Sequence, residues 1–159
     1  MKLWGITLAG LIVSGALVWP RCGVVARWRR ARQLTERSQR EDVLKHVLKC
    51  RANGTQPTLE SIAGTLQIST GQAADVLQEL ESHGLLSYEG EALLLKPAGL
   101  EMALHIVRAH RLWESYLAEQ TGVSEAEWHR RAERQEHLLT PREADALAAQ
   151  LGHPRYDPH

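Results

Sequence analysis

Two rhythms of apolar residues run along this chain, and the switches between them outline its elements. Over residues 41–50, Val43, Leu44, Val47 and Leu48 recur at helical spacing. The polar stretch 52–57, with Gly54 and Pro57, breaks that helix. Thr58 reads as the N-cap of a helix over 59–66, and Ser61 stands at the capping-box position. A short turn at 68–71 leads into a helix over 72–83. Ala73, Val76, Leu77 and Leu80 point inward there, and Gly84 closes it. At 85–88 and 92–95 the pattern shortens to two strands around a tight turn at 89–91. A long amphipathic helix follows from Leu100 to about Glu119, and Gly122 interrupts it. Ser124, with Glu127 three residues on, predicts a capping box for a helix over 125–139. Thr140 and Pro141 open a last helix over 143–151, ahead of an extended tail. The expected fold is mainly α: a winged helix-turn-helix of three helices plus a β-hairpin, then a helical domain.

Charge and hydropathy change the picture at the N-terminus. Residues 3–19 are uncharged and apolar, close to the shortest run (about 17 residues) that spans a bilayer. Trp4 and Trp19 flank the run, where indole rings favour the interface. A signal peptide is the competing reading, with Lys2 as its basic start, but no small-x-small cleavage site follows. Residues 20–40 then carry seven Arg against one acid, Glu36. By the positive-inside rule such a collar holds the C-terminal body in the cytoplasm. It would also attract anionic lipid, at about 1 kcal/mol per basic residue. The expected organisation is a transmembrane anchor at 1–20, a basic juxtamembrane linker at 21–40, the winged helix at 41–97 and a helical domain at 98–159. The protein would be single-pass in the cell membrane. Cys22 and Cys50 offer no disulfide framework, in keeping with a reducing compartment.

Candidate chemistry lies in the last third. His129, Glu133, Glu136 and His137 stand at i, i+4, i+7 and i+8, one stripe on a helix, and His110 and Glu114 repeat the i, i+4 pairing on the helix before. Imidazole and carboxylate ligands without a thiolate suit Mn(II) or Fe(II), and zinc also accepts them. The plain alternative is a solvated helix, with Glu133 paired to Arg130, Arg131 or Arg134 at ~0.2–0.5 kcal/mol each. Catalysis has no support: the chain lacks a nucleophile elbow, a Gly-rich phosphate loop and an HExxH motif. DNA binding meets an electrostatic objection. Residues 57–100 hold one base, Lys96, against Glu60, Asp75, Glu79, Glu81, Glu89 and Glu91, a balance of −5. Specific binders draw much affinity from cations on phosphates. Ser69, Thr70, Gln72 and Gln78 could touch DNA only without that help.

The order of motifs resembles the diphtheria-toxin-repressor and manganese-transport-regulator family of metal-dependent regulators. Residues 57–63 (Pro-Thr-Leu-Glu-Ser-Ile-Ala), His83-Gly84-Leu85-Leu86, Ala109-His110-Arg111-Leu112-Trp113-Glu114, the stretch 129–137 and the closing residues 153–159 carry the likeness. The resemblance places His110, Glu133, Glu136 and His137 on metal-ligand positions, with Asp42 from the first helix, and Glu114 and His129 at the family's other site. Glu133, where the iron-responsive branch has cysteine, looks like the manganese branch. Lys45 departs from that branch, which has an acid there, and its charge opposes a second metal. The resemblance implies a metal-responsive, homodimeric transcription regulator, with Trp113 and Trp128 among the dimer-forming faces. An anchor and Arg collar before such a body are similar to the tail of some metal ABC-transporter permeases. The alternative is therefore a regulatory domain that works with metal-transporter subunits and binds no DNA.

Overall fold

The computed structural model of the chain describes residues 24–120 and 122–153. The apolar run at 3–19, Arg21, Cys22 and the tail beyond His153 lie outside the described residues. The chain divides into two units, Met1–Ser38 and Gln39–His159. Helix α1 spans Val24–Ala52, so the expected linker and the first winged-helix helix share one element. No Gly or Pro interrupts those 29 residues, and nothing in them would break a helix.

Among the described residues no helix is long and apolar enough to cross a membrane. α1 has the length, but its sequence carries nine Lys and Arg, whose burial in hydrocarbon is costly. The expected single-pass placement is corrected on this point.

Within Gln39–His159 the winged helix forms as its pattern predicts. Helix α2 (Leu59–Leu66) starts at Thr58, whose hydroxyl accepts from the Ser61 amide while the Ser61 hydroxyl accepts from the Thr58 amide. Helix α3 (Thr70–Ser82) is closed in the same way by Ser69 and Gln72, two residues earlier than the periodicity suggested. Gly84, at φ +67°, supplies the left-handed turn after α3. Strands β1 (Leu86–Glu89) and β2 (Ala92–Leu95) pair antiparallel, Leu86 opposite Leu95. Val43, Leu44 and Val47 of α1, Ile62 of α2, Leu77 and Leu80 of α3 and Leu86 and Leu93 of the hairpin close one core. Each such side chain contributes about 1.5–3 kcal/mol on full burial.

Helix α4 (Pro97–Gln120) is the spine of this unit. Its first turn lies so close to the hairpin that a Cβ on Gly99 would sit 1.9 Å from the Leu85 carbonyl oxygen. Only glycine fits there. Ala103 of α4 enters the winged-helix core, whereas Leu112, two turns beyond, packs on Ala144 and Ala148 of α6 (Pro141–Gln150) in a second core. Helix α5 (Glu125–Gln135) runs against α4 and passes into a 3-10 turn, Glu136–Leu138. The expected capping box at Ser124 does not form. The Glu127 carboxylate is taken by Arg130 and Arg131 at 2.9 and 3.0 Å, which also holds it below the usual carboxylate range.

Candidate metal centre

The change from α-helix to 3-10 turn at Glu136 decides the geometry. On one continuous helix, residues 129, 133, 136 and 137 would share a face. With the tighter turn, His129 falls in one group and Glu136 and His137 in another, joined through His110.

The first group is a triangle. His110 and Glu114, one turn apart on α4, meet His129 from α5. His110 Nε2 lies 2.9 Å from Glu114 Oε1 and 3.0 Å from His129 Nδ1, and the third side, His129 Nδ1 to Glu114 Oε1, is 3.0 Å. The imidazoles meet edge to face, centroids 4.8 Å apart. Glu114 is 2 % exposed and His110 7 %. A divalent cation about 2.0–2.1 Å from nitrogen and oxygen ligands sets neighbouring ligand atoms ~3.0–3.4 Å apart. The two nitrogens and one oxygen present match that donor set and spacing.

The outer partners suit the same role. His110 Nδ1 lies 2.5 Å from Glu136 Oε2. A proton held on Nδ1 by that carboxylate leaves the Nε2 lone pair facing the triangle, the tautomer a metal requires. His129 repeats the arrangement more loosely, with Nε2 3.4 Å from Glu133 Oε1. Glu133 is exposed and stands outside both groups of converging ligand atoms.

The second group joins α1 to the 3-10 turn. Ligand atoms of Asp42, Glu136 and His137 converge within 4.8 Å of one another. The contacts are longer than in the triangle: His137 Nε2 is 3.4 Å from Asp42 Oδ1 and 3.6 Å from Glu136 Oε1. His137 Nδ1 lies 2.7 Å from Oε2 of the buried Glu41. Burial opposes a charge on His137, but hydrogen bonds to Asp42 and Glu41 outweigh it and raise its pKa to about 9. The Lys45 ammonium donates to both oxygens of Glu136 at 2.8 Å. Burial favours the neutral Glu136 acid, yet hydrogen bonds from His110 and Lys45 prevail and hold it below the usual carboxylate range.

Of the residues singled out from sequence, His110, Glu114 and His129 come together in one group and Asp42, Glu136 and His137 in another. Glu41 was missed. Its only signal is an acid at the start of the buried face of α1, beside Asp42. On the winged helix, Ser69 and Gln72 are committed to the α3 cap, while Thr70 and Gln78 are exposed. Glu79 pairs with Arg40. Trp113 packs edge-on against Tyr116, and Trp128 donates to the Val123 carbonyl at 3.0 Å.

Comparison with known proteins assigns this architecture. Residues 96–159, which include both groups except for Glu41, Asp42 and Lys45, match the iron dependent repressor, metal binding and dimerisation domain. Residues 96–159 therefore carry that domain, and the body as a whole is similar to the diphtheria-toxin-repressor family of metal-dependent regulators. It is 29 % identical to the iron-dependent repressor IdeR of Mycobacterium tuberculosis over 119 residues, 74 % of this chain and 52 % of that one. A manganese-dependent transcriptional repressor solved in complex with manganese superposes with a TM-score of 0.66 at 29 % identity, over 76 % of this chain and 56 % of its own. A probable metal transport system membrane protein of Chlamydia pneumoniae is 31 % identical over 165 residues, 97 % of this chain and 36 % of that protein. The chain thus spans about half or less of the curated relatives it matches. These regulators are repressors and not enzymes, and the likeness to them, with no membrane-crossing helix among the described residues, runs against the single-pass expectation.

Proposed function

We propose that this protein is a metal-responsive regulator that takes a divalent transition metal, Mn(II) or Fe(II) with Zn(II) as a competitor, at His110, Glu114 and His129. The observation that carries the reading is the triangle of ligand atoms with sides of 2.9–3.0 Å. Two of its corners come from α4 and one from α5, so a bound cation would favour one mutual setting of these helices by its higher affinity for that setting. Dimerisation supplies the second half of the reading. Leu100 and Leu104, one turn apart on α4, and Leu138 are exposed large apolar side chains, and such residues invite a two-fold contact with a second copy.

Calorimetric titration of the chain with Mn(II) tests the metal claim. Saturable uptake by the parent and its loss in His129→Ala support it, whereas equal uptake by both would overturn it. The transporter-linked reading is favoured by the Chlamydia pneumoniae relative that matches 97 % of this chain. The acidic winged helix agrees with it, because an output that avoids DNA needs no basic reading head.

A further inference from the structure

We propose that Lys45 is a tethered cation that replaces a metal ion in the second ligand group, so that the chain binds one divalent cation per protomer and keeps α1 fastened to the 3-10 turn whether or not metal is present. The inference rests on the reading of the triangle as a metal centre. Asp42, Glu136 and His137 bring ligand atoms within 4.8 Å of one another, close enough to be considered for a cation. A cation is already supplied by the protein. The Lys45 Nζ sits 2.8 Å from each oxygen of Glu136, whose side chain is 1 % exposed, and the lysine side chain is itself mostly covered.

This two-oxygen grip uses the atoms a metal would need. It also puts a fixed positive charge where a divalent ion would have to enter. Lys45 stands one helical turn after Asp42, so both groups reach the 3-10 turn from the same face of α1. The remaining ties run in parallel: Glu41 and Asp42 both meet His137. These pairs, Lys45 with Glu136 and the two acids with His137, join groups of opposite charge. Glu136 then serves both sides, with Oε2 on His110 Nδ1 as well as on the ammonium. Through His110 the permanent seam also sets the orientation of an imidazole in the triangle.

The test is Mn(II) stoichiometry by calorimetry on the full chain, in detergent if solubility requires it, with Lys45→Glu as the decisive variant. The parent should bind one equivalent and Lys45→Glu two. Two equivalents in the parent, or one in a folded Lys45→Glu, would overturn the proposal. Should Lys45→Glu not fold, Lys45→Arg and Lys45→Met in the presence of a chelator replace it. Arg should retain the thermal midpoint and Met should lower it by several degrees, and equal midpoints for Met and parent would also overturn the proposal. No uptake at all by the parent would instead refute the triangle as a metal centre, leaving the chelator series to judge Lys45.

Discussion

The two ligand groups on either side of His110 use the same side-chain types for different ends. In the triangle, imidazole and carboxylate atoms from α4 and α5 stand 2.9–3.0 Å apart, at coordination spacing. In the seam, the corresponding distances stretch to 3.4 and 3.6 Å, and a lysine occupies the carboxylate. Ligand chemistry alone therefore does not make a metal site. In the seam the fold gives the buried Glu136 carboxylate a cation of its own, the Lys45 ammonium.

The two groups part most clearly when each is disabled in turn. Glu114→Ala and His129→Ala should each weaken Mn(II) binding by 100-fold or more in calorimetry, and His129→Ala, at the exposed corner, should leave the urea resistance of the chelated protein little changed. His137→Ala should do the reverse. It leaves the buried Glu41 carboxylate without its imidazole, a loss on the order of 3 kcal/mol for a broken buried pair, read as a lower urea midpoint with Mn(II) uptake retained. Equal effects of both kinds from either substitution would merge the two groups into one.

A pH series sharpens the contrast. The His137 pKa is raised to about 9 from an ordinary 6.5, so the charged imidazole stabilises the folded state. That contribution is fully present below pH 6.5 and is lost as pH rises through 9. The metal-free protein should lose on the order of 3 kcal/mol across this window. Metal uptake should run the other way at the acid end, weakening as imidazole ligands protonate. A flat urea midpoint from pH 6.5 to 9 would remove His137 from the seam. The smallest effect is expected at Glu133, the exposed outer partner of His129: Glu133→Gln should weaken Mn(II) by about tenfold at most. A loss as large as that of Glu114→Ala would make Glu133 a direct ligand.

Much of the fold was legible in local pattern. The Thr58 cap, the hairpin and the pairing of His110 with Glu114 follow from spacing within single elements, whereas the Ser69 cap starts α3 ahead of the apolar rhythm. Two features were not, and for physical reasons. Apolar periodicity does not register a tightening from α-helix to 3-10 turn, so Glu136 and His137 read as part of the His129 stripe although the turn carries them toward α1. The Lys45–Glu136 pair spans 91 positions of sequence, and an anomalous lysine among acids reveals its charge without its partner. The capping box at Ser124 is absent because the Glu127 amide donates to the Ser124 carbonyl oxygen and two arginines hold the Glu127 carboxylate.

Anomalous diffraction from crystals of the chain grown with Mn(II) would locate the ion itself. One manganese peak per protomer, within about 2.3 Å of His110 Nε2, Glu114 Oε1 and His129 Nδ1, is the predicted result. A peak among Asp42, Glu136 and His137, with the Lys45 ammonium displaced, would contradict it.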